Sequence, residues 1–327
     1  MDTLITNILP MRKPDILNSS KPALFITMIT ALSACSSSDN GPLASGRGGT
    51  TNSLFSLDIT DAPVDDADEV WIEFTGISIH PSKDDENTNL QEFTFASPKR
   101  INLLDLQGNK VQNLLYEEII PSGSYDWIRL AVNAEQDSIL DSYIKLKDGT
   151  EHELYIPGGS QTGLKLVSSF ELMTNAEFNY TIDFDLRKSI VLTGVDNYIL
   201  RPSLRLINKT ESTTITGSVD ASLLSTISAG CTDDDPVTGN AVYLFENANA
   251  IPDDINNTSK NLINSSLVVL NTNGNYEYTL GFIPQGDYTI SFTCQSDIDN
   301  PETNDDIKFT GTSNISVTAG HVFNFDF

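Results

Sequence analysis

Histidine and cysteine are scarce in this chain, with three of each among 327 residues. The histidines, His80 (read as a loop residue before Pro81), His152 and His321, stand far apart and in no metal-ligand spacing. No Gly-x-Ser-x-Gly elbow, His-Glu-x-x-His helix or paired Cys–His spacing occurs, which leaves nucleophilic hydrolysis and zinc peptidase chemistry without their usual residues. Basic residues are also few: 19 Lys+Arg stand against 45 Asp+Glu, a net charge of −26. A surface so acidic repels nucleic acid and anionic lipid headgroups, and it suits an extracytoplasmic protein able to recruit divalent cations. The apolar run Pro22–Leu32 covers roughly 16 Å as a helix, about half of a ~30 Å hydrocarbon core, so a spanning helix is not expected there.

That run has a different use. It follows the basic residues Arg12, Lys13 and Lys21 and ends in Leu32-Ser33-Ala34-Cys35. A basic start, a short apolar core and small residues before a cleavage point make a secretory signal. With cysteine directly after the small residues, the segment resembles a bacterial lipoprotein signal. The resemblance implies a leader over 1–34, removed before Cys35, and diacylglycerol and palmitate on the Cys35 thiol. Translation starting at Met11 would shorten the leader. Ser36, where an aspartate would favour inner-membrane retention, points to the outer membrane. Residues 35–53, rich in Ser and Gly, form a tether with a root-mean-square span of roughly 20–25 Å. Cys231 and Cys294 remain; in an oxidising periplasm they pair as a disulfide, or else they are buried thiols.

From Leu54 onward the pattern is that of strands. Leu54–Ile59, Val70–Phe74, Ile128–Val132 and Ile182–Leu186 alternate apolar and polar residues, with Gly76 marking a bulge. The one helix expected is short, around Gln112 to Glu118. Turn words such as Lys147-Asp148-Gly149 and Asn273-Gly274 divide the strands. The reading is all-β, with two β-sandwich domains over 54–209 and 210–327, divided at Asn208–Ser212. The last strand, His321–Phe327, sets three aromatics on one face. Both domains carry one small motif: Ile120-Pro121-Ser122-Gly123-Ser124-Tyr125 and Ile283-Pro284-Gln285-Gly286-Asp287-Tyr288. Its recurrence points to sandwiches of related, transthyretin-like or immunoglobulin-like topology.

Several ordered segments carry a family resemblance. They are Leu57–Val64, Phe74–Ile77, Leu103–Leu106, Pro121–Leu130, Gly163–Leu166, Asp183–Ser189 and Leu200–Arg205. Over about 150 residues the chain resembles bacterial lipoproteins carrying the domain of unknown function 4382, a family without an assigned activity. Residues Ile215–Val219, Ala241–Leu244, Asn273–Tyr276 and Ile283–Ile290 make the second half similar to the carboxypeptidase regulatory-like and collagen-adhesin B-type sandwiches. Some relatives of that kind bind carbohydrate and many are spacers, and fold alone does not choose between them.

Candidate chemistry is sparse. Asp183 and Asp185 share a strand face and are followed by Arg187, and Arg129 and Lys165 are candidates to approach them. The set is either a polar ligand site or a charge ladder that fixes register. Asp58 and Asp61, followed by Asp65, Asp66, Asp68 and Glu69, are weak calcium candidates without EF-hand spacing. Asp233–Asp235 and Asp253-Asp254 read the same way, as calcium ligands or as solvated acidic loops. Trp71 and Trp127 fall off the core face by parity, to stack on a sugar or to cover the second face of the sheet. No catalytic residue, metal or cofactor is assigned. The expected protein is a lipid-anchored lipoprotein of the cell envelope, non-enzymatic, with a glycan or an envelope protein as partner and no nucleic acid. The alternatives are a carboxylate-dependent glycan hydrolase, needing two close carboxylates, and a calcium-stabilised adhesin stalk.

Overall fold

The computed structural model describes residues 51–62, 67–84, 88–159, 162–194, 196–201, 203–224, 231, 237–256 and 261–327. The leader, Cys35, residues 36–50 of the tether, Asp65, Asp66 and Asp233–Asp235 lie outside the described residues. The chain divides into compact units Met1–Arg47 and Gly48–Phe327, and everything below concerns the second.

Its secondary structure is almost entirely β. The first module holds β1 (Asn52–Ala62), β2 (Ala67–Pro81), β3 (Gln91–Asn102), β4 (Gln112–Pro121), β5 (Gly123–Asn133), β6 (Tyr143–Leu146), β7 (Glu151–Tyr155), β8 (Leu164–Leu172), β9 (Glu177–Asp185), β10 (Ile190–Leu192), β11 (Tyr198–Leu200) and β12 (Leu204–Asn208). A single helical turn, α1 (Leu186–Ser189), follows β9. The second module holds β13 (Ser212–Ser218), β14 (Ala241–Glu246), β15 (Leu262–Leu267), β16 (Val269–Leu270), β17 (Tyr276–Pro284), β18 (Gly286–Thr293), β19 (Thr310–Val317) and β20 (Val322–Asn324).

In the first module a sheet ordered β12-β9-β1-β4 faces a larger one ordered β10-β11-β7-β6-β2-β5-β8, with β3 added on β2. Alternation decides what lies between them. Phe55, Leu57 and Ile59 of β1, Ile72 and Phe74 of β2, and Ile182 and Phe184 of β9 are fully buried and enter one core. Gly76 interrupts the register of β2 with both β3 and β5. A Cβ there would sit 2.6 Å from the Phe93 carbonyl oxygen, so the close approach of β3 requires glycine. At the edge strand β4, the Lys99 ammonium donates to the carbonyls of Asn113 and Leu114 at 3.3 and 2.8 Å, which occupies polar groups of that edge.

The second module packs sheets ordered β16-β17-β13-β20 and β15-β14-β18-β19 around a separate core containing Ile215, Leu244, Leu280 and Phe292. Cys231 and Cys294 form a disulfide with Cα atoms 5.4 Å apart. Val322–Asn324 adds to β13 in parallel, and the amides of Phe325 and Phe327 continue the pairing onto the Thr216 and Ser218 carbonyls. Phe323, Phe325 and Phe327 pack against the core.

Three details differ from the sequence reading. Gln112–Glu118 is strand, not helix: Glu117 adopts φ 50° and donates its amide to Ser56 Oγ, so an inserted residue breaks the two-residue alternation. Leu186 leaves β9 to open α1, because the Asp185 carboxylate accepts the Lys188 amide and caps the turn. His80 belongs to β2 and not to a loop.

The repeated turn has a common fastener. Where β4 crosses to β5 in the opposing sheet the Tyr125 hydroxyl donates to the Pro121 carbonyl at 2.6 Å; where β17 crosses to β18 in the opposing sheet Tyr288 donates to Pro284 at 2.8 Å.

Candidate functional site

The polar residues gather where the modules meet. The face of β1 and β9 turned from the core carries Asp58, Thr60, Thr181 and Asp183, all buried. Asp183 lies opposite Arg205 of β12 and is paired with its guanidinium. Burial pushes the Asp183 carboxyl above the ordinary range, with Arg205 opposing that shift. Asp58 accepts from Lys209 Nζ at 2.8 Å and from Asn113 Nδ2 at 2.9 Å, so its carboxylate is already engaged. Asp61, also buried, lines a void of about 20 Å³ closed by Gln107, Gly108 and the second module's Gly281 and Phe282. A Cβ on Gly281 would lie 1.9 Å from the Gly108 carbonyl oxygen, so the two modules touch backbone to backbone.

A second bridge crosses the boundary. Arg187 of α1 donates Nη1–H to the Tyr243 hydroxyl at 2.7 Å, and that hydroxyl donates to Asp299 Oδ2 at 2.6 Å. The Asp299 carboxylate also accepts the Ile255 amide at 3.0 Å. Arg187, Tyr243 and Asp299 are all buried. Asp299 belongs to a trio: ligand oxygens of Asp254, Asp299 and Asp305 lie within 4.8 Å of one another. Burial raises the Asp299 carboxyl above its usual range, while Tyr243 and Ile255 hold it down. Asp254 accepts from Asn256 Nδ2 at 2.5 Å and from the Asp305 amide at 2.7 Å. A hard cation is the ligand such an all-oxygen set would hold. Asp254, read from sequence as part of an exposed acidic loop or a calcium site, is 1% exposed.

The sequence-selected cluster does not assemble as one site. Asp183 goes to Arg205, Asp185 to Lys188 at 3.3 Å and Arg187 to Tyr243. Arg129 and Lys165 stand opposite each other on β5 and β8, in the other sheet. Their cations lie 5.4 and 4.5 Å from the Trp127 ring centroid. His80 stacks on the same ring at 4.9 Å, so Trp127 is 5% exposed and covers the sheet. Trp71 stacks at 6.5 Å on Tyr143, with the Arg100 guanidinium over both rings. His152 lies 5.1 Å from the Tyr198 ring, and the His321 carbonyl accepts the Thr213 hydroxyl. Sequence reasoning missed Arg205, Tyr243 and Asp299. Arg205 had a signal, a lone cation between Leu204 and Leu206 on a strand; Tyr243 had none, inside the apolar run Ala241–Phe245.

These features define an all-β protein of two packed modules joined by a buried polar seam. Residues 52–202 match the family described as Domain of unknown function (DUF4382). No curated protein sequence matches the chain. Among solved structures, it is similar to the TIE protein of Bacillus anthracis (10% identity, 85% of this chain, 34% of that one, TM-score 0.18). The chain thus spans about a third of that protein's length. It is also similar to the minor pilin of Streptococcus agalactiae (12% identity, 84% and 94% covered, TM-score 0.17). A further likeness is to the fimbrial anchor protein of Porphyromonas gingivalis (9% identity, 80% and 83% covered, TM-score 0.17). At these scores the likenesses carry no argument about topology or function.

Proposed function

We propose that the chain is a lipid-anchored envelope protein whose two modules act as one rigid, non-enzymatic binding and spacing unit. The observation that carries the reading is the seam. Arg187, Tyr243 and Asp299 link the modules through buried hydrogen bonds, and Gly108 meets Gly281 with no room for a side chain. Such a junction resists bending, which suits a unit that presents a surface at a fixed distance from its anchor. The signal-like segment ending at Cys35 supports attachment to the outer membrane, at about 0.8 kcal/mol per buried methylene of the acyl chains. A partner protein fits the surface better than a glycan, because Trp127 is covered by the protein's own cations. The carboxylate trio does not favour a hydrolase: Asp254, at 1% exposed, is out of reach of a glycosidic bond. The carboxylate trio, two of its members buried, favours a calcium-stiffened stalk as a second reading, and calorimetry with calcium and then chelator is its test. No melting shift would remove it.

The main test is membrane fractionation. Cys35→Ala should move the protein from the membrane to the soluble fraction, and retention in the membrane would defeat the anchoring. A glycan array probed with the soluble chain from Ser36 tests the choice of partner, since specific glycan binding would reverse it.

A further inference from the structure

Two clefts of about 570 and 550 Å³ run along the module boundary and share Asp297 in their walls. Each has the size of a ligand cleft, and domain boundaries are where such clefts concentrate. Their walls hold five of the large apolar side chains left exposed among the described residues. Val237 (67% exposed), Val269 (59%) and Leu270 (49%) line the first, and Leu192 (55%) and Ile298 (59%) line the second. Large apolar side chains left in water singly need no explanation, but a contiguous set marks a contact surface.

The charges of the walls are one-sided. Asp68, Asp105 and Asp297 are exposed in the walls of the first cleft, with Lys147 as the one exposed cation there. Glu302 is exposed in the second, where the cation, Arg187, is buried and engaged by Tyr243. Asp297 stands where the clefts meet. We infer that this boundary groove receives an extended segment of a partner protein in which apolar residues flank a lysine or arginine. The apolar side chains lie on Val269, Leu270, Leu192 and Ile298, and the cation sits at Asp297. An anionic segment is excluded by like charge at the rim. Two clefts in series suit a peptide better than a compact small molecule. The inference supplies a partner class for the binding role proposed above but does not depend on the anchor: failed peptide binding would leave the Cys35→Ala result standing.

The test uses the soluble chain from Ser36 and two fluorescent capped peptides, one alternating valine and lysine, the other valine and glutamate. Binding is followed by fluorescence anisotropy, with hexylamine as a competitor. The lysine peptide should bind and the glutamate peptide should not. Asp297→Lys and Leu270→Glu should each weaken binding at least about tenfold, while Glu171→Lys, an exposed charge reversal on β8, leaves it unchanged. Melting temperatures of all three variants verify folding, and the two groove variants, at separate exposed positions, stand in for each other if one fails to fold. Absence of binding, equal loss in Glu171→Lys, or full displacement by hexylamine at matched concentration would overturn the inference.

Discussion

Replacing Tyr243 by Phe removes one oxygen and tests the seam. The ring keeps its packing, edge-on to Phe309 at 5.4 Å and against Phe245 at 6.3 Å, so no cavity larger than a hydroxyl results. Two hydrogen bonds disappear, one from the Arg187 guanidinium and one to the Asp299 carboxylate, each involving a buried charged group. Bonds to charged groups contribute about 1.5–3 kcal/mol each. Asp299 keeps the Ile255 amide and Arg187 keeps its place over the ring, so the lower end applies and the total is about 3 kcal/mol. The assay is urea unfolding of the soluble chain. Both tryptophans, Trp71 and Trp127, belong to the first module, so tryptophan fluorescence reports that module alone while circular dichroism reports both. In the parent protein the two signals should change together. In Tyr243→Phe the dichroism should begin to fall at lower urea than the fluorescence, as the second module loses its support. A cycle with Asp299→Asn should be less than additive, since the two residues share a bond. A loss under about 1 kcal/mol with coincident transitions would refute the idea that this bridge couples the modules.

Further outcomes follow from other parts of the molecule. Changing Cys231 and Cys294 together to Ala opens a loop with a sequence separation of 63 and should cost about 4 kcal/mol on the chain-entropy estimate, read from urea melts of parent and variant; reduction of the parent should reproduce it. Gly281→Ala drives a methyl carbon into the Gly108 carbonyl and should destabilise by about 3 kcal/mol, with faster protease nicking between the modules; an unchanged melting temperature would contradict the close approach. Asp299 binds its proton more tightly folded than unfolded, so its contribution favours the folded state below about pH 4 and is lost as pH rises through the raised folded value. Asp299→Asn should flatten that part of a melting-temperature series across the acid range, leaving the share of Asp183, which has the same sign.

The strands were legible where one face is buried and the other wet. Val70–Phe74 and Ile128–Val132 alternate because every second side chain enters the first core. The pattern failed at Gln112–Glu118, where a second register shift, between Leu115 and Asn113, places Leu114 and Leu115 both inside and imitates helical spacing. The cysteines left pairing open between a disulfide and two thiols, and only the 5.4 Å approach of their Cα atoms decides it. The charged cluster could not be read from one strand. Asp183 and Asp185 are on β9 and Arg129 and Lys165 on the opposing sheet, and which strands oppose is a tertiary fact. Arg205 finds Asp183 only through the antiparallel register of β9 and β12. The trio of Asp254, Asp299 and Asp305 joins two segments about 45 residues apart, and nothing local to either announces the other.

The two tyrosine fasteners, each at a turn from one sheet to the other, bear on how the molecule comes to be folded. Each hydroxyl-to-carbonyl bond spans four residues, so it forms without waiting for distant chain. Other closures are remote: β1 must find β9 some 120 residues later, and β13 must wait for Val322. Loop-closure entropy makes such long-range pairings the slow events, on the order of milliseconds to seconds for topologies of this kind. Each corner can therefore close before the long-range pairings, one in each module, and those pairings complete the sheets afterwards. Tyr125→Phe and Tyr288→Phe should accordingly slow refolding more than they hasten unfolding; the reverse partition in stopped-flow chevrons would place both corners late.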